Sequence, residues 1–378
     1  MARDIERRLR SLNVRRRGID RIAMLSAESA REIFAKSLFE ESYAKRAANQ
    51  RYTKYALGAM QAVDADYTRI GIEEATRVGK QLESGLAKQG ISVEFRLQGS
   101  VPCDIHIRGV SDVDLLVLDG RFFRYDSQGA RALRGDYSIP FAYGTLATLQ
   151  GLRDHSETIL KDAFPAATVD TEGSKAINLS GGSLRRPVDI VPSNWYDTAD
   201  FQRTGAEVDR GVEILNRDVP EHVLNMPFRH IQRISQRDHE CLGGLKKAIR
   251  LCKNVKADAI EEGTQINVSS FDIASALWHA DLAALTVGIA NELAILAEAT
   301  RFLDHLYCHR EYAATLRVPD GSRAIFDAPS KFEALLQLSL EMDDLAEKVS
   351  REQARLSEQV PLNSGQIGEV LRKSYVPG

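Results

Sequence analysis

Two aspartates at alternate positions, Asp112 and Asp114, open the apolar run Leu115-Leu116-Val117-Leu118. Residues two apart in a β-strand share a face, so both carboxylates project from one side of a strand whose remaining residues suit a buried sheet. Hard divalent cations prefer carboxylate oxygen and keep their other positions for water and phosphate, so a pair of Mg²⁺ ions is the expected occupant of such a face. Ahead of it, the strand-like Val93-Glu94-Phe95-Arg96-Leu97 runs through Gln98 into a Gly99-Ser100 turn. That turn offers backbone N–H groups and a hydroxyl to a triphosphate. Neither half is specific alone, since Asp-x-Asp in an apolar run is common and Gly-Ser by itself is only a turn. The plain alternative is a surface loop followed by an edge strand capped by two aspartates.

A two-metal transferase also needs a third carboxylate on a nearby strand, to complete the metal site and help activate an attacking hydroxyl. Asp189, within Arg186-Pro187-Val188-Asp189-Ile190-Val191-Pro192, supplies one. An unpaired carboxylate is costly to bury, so its place in an apolar run points to a cation or a hydrogen-bond donor. A strand-end Asp taking turn hydrogen bonds ahead of Pro192 is the bland alternative, and it weakens once Asp112 and Asp114 are counted with it. The expected catalytic and metal-binding set is Asp112, Asp114 and Asp189, with Gly99 and Ser100 at the nucleotide phosphates.

These motifs together resemble the polymerase-β-like nucleotidyltransferase superfamily and, within it, the bacterial cGAS/DncV-like nucleotidyltransferases. Ala248-Ile249-Arg250-Leu251-Cys252-Lys253 is similar to that family's basic helix reaching the donor triphosphate. Ser269-Ser270-Phe271 resembles its Ser-Ser-aromatic turn, and Pro319-Asp320-Gly321 with Phe326-Asp327 its late loop. The resemblance covers residues 55 to 355. It implies an α+β fold, with a nucleotidyltransferase lobe of mixed sheet and flanking helices joined to a C-terminal helical lobe. It also implies a template-free transferase using two Mg²⁺ or Mn²⁺ ions to make a cyclic di- or trinucleotide second messenger from NTPs in antiphage defence, read by a separately encoded nucleotide-sensing effector. The chain departs from many members at Val101-Pro102-Cys103-Asp104, where they carry Gly-Thr, and at Asn254-Val255, where they carry an aromatic. These departures bear on nucleobase preference and donor geometry, not on the metal site.

Bulk properties agree with a cytoplasmic enzyme. At 378 residues, 43% hydrophobic and 27% charged, the chain can bury a substantial core in one bilobed unit or two domains. A formal charge of −3 argues against a protein that coats nucleic acid, whereas Mg-NTP needs only a basic pocket. The four cysteines, at 103, 241, 252 and 308, are too dispersed for a disulfide framework or a metal site. Cys241 and Cys252 are expected on one buried helical face. The opening residues are Arg-rich and broken by Asp4 and Glu6, so no secretory leader is expected there. Leu282 to Ala299 is apolar but contains Asn291 and Glu292, and is expected to be a buried helix rather than a membrane span.

Three regions are expected: a basic helical arm over 1–50, the catalytic lobe over 51–195, and a helical lobe over 196–378 closing the nucleotide cleft. The arm's arginines could touch nucleic acid or an acidic partner, but a solvated or oligomer-contacting helix is the preferred reading. Ser26 to Lys88 is expected as long helix behind the sheet, and Phe141 to Phe164 as a helix with a Leu146, Leu149, Leu152, Ile159, Leu160 stripe. Strands are expected at Ala167 to Asp170 and Lys175 to Leu179, and loop from Pro192 to Pro220. Pro227 should start helices continuing to Leu371, with the Pro-Gly terminus frayed.

In the helical lobe, Arg250 and Lys253 lie three apart and could grip phosphates from the side opposite Ser100, although basic residues on such a helix usually face water. Ser270 could donate to the same phosphates from a helix N-terminus, or simply cap it. Two further readings stay open. One is a transferase building a linear, even protein-primed, oligonucleotide or modifying RNA, protein or a small acceptor. The other is a non-catalytic interaction partner, which the three aspartates disfavour.

Overall fold

The computed structural model describes residues 3–17, 41–137, 145–357 and 359–377. Its longer helices are α1 (Ile5–Arg17), α2 (Arg51–Met60), α3 (Ala65–Ala87), α4 (Thr145–Ala163), α5 (Pro227–Glu240), α6 (Gly244–Glu261), α7 (Ser270–Trp278), α8 (Leu293–Cys308), α9 (Pro329–Ala354) and α10 (Ser364–Lys373). The strands are β1 (Val93–Gln98), β2 (Val113–Tyr125), β3 (Thr168–Asp170), β4 (Ile177–Ser180), β5 (Val188–Asp197), β6 (Gly211–Asn216) and β7 (Glu221–Asn225). They form one mixed sheet in the order β1-β2-β5-β4-β3, with β6 pairing β5 and β7. Among the described residues only β2 and β5 pair in parallel.

Alternation along the strands divides the sheet into two faces. Val113, Leu115 and Val117 of β2 and Val188 and Ile190 of β5 bury against α3 and α4, whose Ala75, Val78, Leu82, Leu149, Leu152 and Leu160 complete that core. Leu116, Leu118, Val191 and Trp195 point the other way, where Phe228 of α5 covers them. A separate core unites α1, α2 and the helices from α5 onward.

The sheet extends beyond its expected end. β5 runs through Asp197, and β6 and β7 follow, so the helical lobe starts at Pro227 rather than near residue 196. Pro192 is tolerated because β4 pairs β5 only as far as Ile190 and β6 pairs it only from Ser193. The polar residues that read as loop have side-chain partners: Asn194 donates to Glu213 of β6 at 3.1 Å, and Asp197 accepts from Arg210, just ahead of β6, at 2.6 Å.

Other expectations need correction. The helix expected over Ser26 to Lys88 is interrupted at 47–50 and at 61–64, where Asp64 caps α3 by accepting from the backbone of Asp66 and Tyr67; residues 26–40 of that stretch lie outside the described residues. α2, assigned from sequence to the catalytic lobe, packs in the helical core. Cys241 and Cys252 are both buried but not on one helix, because Leu242 and Gly243 at φ +52° and +89° turn the chain between α5 and α6. Leu282–Thr286 and α8 are separate helices, and Glu292 in the break pairs with Arg46 and Lys247 at 2.7 and 2.8 Å.

The described helix of the basic arm, α1, packs one face into the helical core. Arg8 is buried between Glu262 and Glu341, and Arg15 makes a two-pronged pair with Asp258 at 2.7 and 2.8 Å. The C-terminus is tied as well: Val376 is buried, and Arg46 donates to the Val376 and Pro377 carbonyls at 2.9 Å. Among the described residues no helix is long and apolar enough to cross a membrane.

Candidate nucleotidyl-transfer site

Backbone register assembles the site. Gln98 of β1 stands opposite Asp114 of β2, Asp114 opposite Asp189 of β5, and Asp189 opposite Asn178 of β4. All four occupy the face away from α3 and α4, because their neighbours Leu97, Val113, Leu115, Val188, Ile190, Ile177 and Leu179 fill the core on the other side. Asp112 precedes β2 by one residue and keeps the same sense as Asp114.

The Gly99-Ser100 turn closes over this row. Gly99 has φ +77°, and a Cβ there would collide with the Asp114 carboxylate, so both the backbone conformation and the space call for glycine. The turn then folds back on itself through Asp104 N–H to Val101 O and Ile105 N–H to Ser100 O, at 2.9 and 3.0 Å.

Electrostatics mark the same spot. Burial, then the charges of Asp189 and Asp112, push the Asp114 carboxyl up to about 7. Asp189 is raised by burial and held back by the Asn178 amide, which donates to it at 2.8 Å and to Asp112 at 3.4 Å. As placed, no group of three or more His, Cys, Asp or Glu side chains among the described residues forms a metal cage. The donor chemistry nevertheless fits hard divalent cations: three half-buried carboxylates on one face, mutually repelling and bridged in part by an amide.

The helical-lobe candidates are placed differently from one another. Lys253 reaches the loop between the Gly-Ser turn and Asp112, donating to Ile105 O at 2.8 Å, with Ser111 Oγ at 3.4 Å; burial lowers it to about 8, opposed by Cys103 and Asp114. Arg250 shares that helix face, but its guanidinium is engaged by the carbonyls of Met60 and Asp104 at 2.8 and 2.7 Å, which makes it a brace between the lobes. Ser270 is exposed at the start of α7, and capping falls to Ser269, which accepts from Asp272 N–H. Sequence reasoning missed Asn178 and Gln98. Alternation within Ile177-Asn178-Leu179 carried the signal for the first, since two buried apolar neighbours turn the amide to the opposite face.

No protein-family profile matches the chain. It is 43% identical over 312 residues to a cyclic dinucleotide synthase CdnE from Yersinia aleksiciae, covering 82% of this chain and 80% of that one. A c-di-GMP synthase from Lachnospiraceae bacterium (strain RUG226) is 27% identical over 75% of this chain and 85% of its own length. Among solved structures, a STING-associated CdnE c-di-GMP synthase from Capnocytophaga granulosa superimposes with a TM-score of 0.69 at 27% identity, covering 93% of this chain and all of that one. With three aspartates on one sheet face, a glycine turn against them and this degree of likeness, the chain belongs to the bacterial cGAS/DncV-like nucleotidyltransferases.

Proposed function

We propose that this chain joins two nucleoside triphosphates into a cyclic dinucleotide. The observation that carries the reading is the alignment of Asp114 with Asp189 across the parallel β2–β5 pair, beneath the Gly99 turn. The cyclic dinucleotide synthases it resembles support the product class.

In this reading the Gly99-Ser100 turn binds the donor's phosphates with its backbone N–H groups and the Ser100 hydroxyl, and the exposed Ser270 of the helical lobe is a further donor to them. Asp189, oriented by Asn178, accepts the proton of a 3′- or 2′-hydroxyl on the acceptor. That oxygen bonds to the donor's α-phosphorus as the bond to pyrophosphate breaks. Lys253 adds positive charge near the leaving group while anchoring the Ile105 carbonyl. A second transfer, from the linear intermediate's free hydroxyl to its own remaining α-phosphate, releases the second pyrophosphate and closes the ring. Mg²⁺ or Mn²⁺ held by Asp112, Asp114 and Asp189 would neutralise charge at the α-phosphate and on pyrophosphate. The product acts in the cytoplasm as a second messenger of antiphage defence, read by a separate effector; the Capnocytophaga relative's association with STING supports an effector of that kind.

The test is incubation of the purified chain with labelled NTPs and dNTPs plus Mg²⁺ or Mn²⁺, followed by phosphatase. A cyclic product has no terminal phosphate and survives. Nucleotide mass added to the protein itself, or only phosphatase-sensitive product, would establish the linear alternative instead. The Asp112→Ala, Asp114→Ala double variant is expected to make no product while melting at the same or a higher temperature, because the mutual repulsion of the carboxylates is relieved. Undiminished synthesis by that variant would refute the site.

A further inference from the structure

Tyr67, in the first turn of α3, is held between two guanidinium groups. Arg108 lies over its ring with the guanidinium carbon 4.0 Å from the centroid, and Arg186 lies over it at 3.4 Å. Its hydroxyl accepts from the Gly109 N–H at 3.1 Å. Tyr67 and Arg186 are buried, so this stack is sheltered from water. The two arginines belong to different segments. Arg108 sits in the loop leading to Asp112, and Arg186 in the loop leading to Asp189.

Those segments enter the sheet side by side as β2 and β5, with Val113 opposite Val188. The same helix face holds both of them at further points. Gly71, one turn beyond Tyr67, lies so close to β2 that a Cβ would stand 2.9 Å from Val113 Cγ2. Thr68 hydrogen-bonds His106 at 2.9 Å on the first loop, and Glu74 pairs with Arg185 at 2.7 Å on the second. Of these contacts, the Tyr67 ring alone touches both loops in one stack.

We propose that Tyr67 is a positioning residue, clamped by Arg108 and Arg186, that fixes the separation of Asp112 and Asp114 from Asp189. The inference rests on the nucleotidyl-transfer reading of the three aspartates. It adds that their spacing is set from the opposite side of the sheet, by a side chain that touches no substrate. A carboxylate set displaced by a fraction of an ångström loses turnover far more than substrate affinity.

The test compares the full chain with Tyr67→Leu and Tyr67→Phe. Tyr67→Leu is expected to lower kcat on the order of ten- to a hundredfold with KM for NTP changed less than about threefold. It should also weaken Mn²⁺ binding in the absence of NTP, read by electron paramagnetic resonance, by about tenfold, as loss of an orienting partner commonly does. Tyr67→Phe keeps the stack and should restore most of both. Should Tyr67→Leu fail to fold, Arg186→Met, which removes one guanidinium and keeps the aliphatic stem, is expected to move kcat and Mn²⁺ binding in the same direction. Wild-type kcat and Mn²⁺ binding in a folded Tyr67→Leu or Arg186→Met variant would overturn the proposal. Absence of product from the unmodified chain with every triphosphate would sink the functional reading instead, and the Mn²⁺ comparison would still decide the role of Tyr67.

Discussion

At Gly99 a single hydrogen atom in place of a methyl group keeps the Asp114 carboxylate where it is. Gly181 has a similar φ, +74°, with nothing within 4 Å of where a Cβ would stand, so it separates backbone strain from the collision. Gly181→Ala is expected to cost about 1 kcal/mol of stability and leave synthesis unchanged. Gly99→Ala is expected to cost about 1–3 kcal/mol and to lower kcat by tenfold or more, since Asp114 must swing away. Equal activities in the two variants, measured beside their melting temperatures, would show that the turn does not hold the carboxylate. Glycine followed by serine after a strand was enough to suggest the turn from sequence; its contact with Asp114 depends on the antiparallel register of Gln98 with Asp114.

At the scale of elements, the packing of α8 against α9 carries a proton-dependent contact. Asp343 of α9 faces Asp304 of α8; burial, then the Asp304 charge and a hydrogen bond to it, push Asp343 up to about 7, with Arg3 opposing. A carboxyl raised by folding holds a proton that the unfolded chain has already lost between about pH 4 and pH 7. Its favourable contribution is therefore present at low pH and disappears as pH rises through about 7. Asn at 343 can donate to Asp304 without titrating. Wild type and Asp343→Asn are expected to melt together near pH 4, with wild type falling progressively behind up to about pH 7 and the gap constant above it. Parallel melting curves across that range would remove the pair from the pH dependence. The helices themselves were legible from apolar periodicity and from Pro227, whereas the facing of two aspartates 39 positions apart was not.

Over the whole molecule, the chain's opening residues are structural. Arg15 of α1 reaches Asp258 of α6, which is 1% exposed and also accepts from Tyr55 of α2 at 2.5 Å. Removing one partner of a buried pair leaves an uncompensated charge, so Arg15→Ala is expected to cost about 3–5 kcal/mol in urea denaturation. A loss below about 1 kcal/mol would return α1 to the solvated helix its composition suggests. That misreading has a physical origin: a run of arginines shows charge, but not the carboxylates at 258, 262 and 341 that receive it. The α+β character, the glycine turn and the common face of Asp112 and Asp114 could be read from the residues alone, because alternation along a strand and backbone demands at a turn are local. Tertiary packing was needed to set where the sheet ends, to place α1 and α2 in the helical core and to make Arg250 a brace on the loop. It alone brought Asn178 to Asp189 and Tyr67 between two arginines. Each of these depends on register or packing between residues distant in the chain, and a strand's pattern does not name its partner.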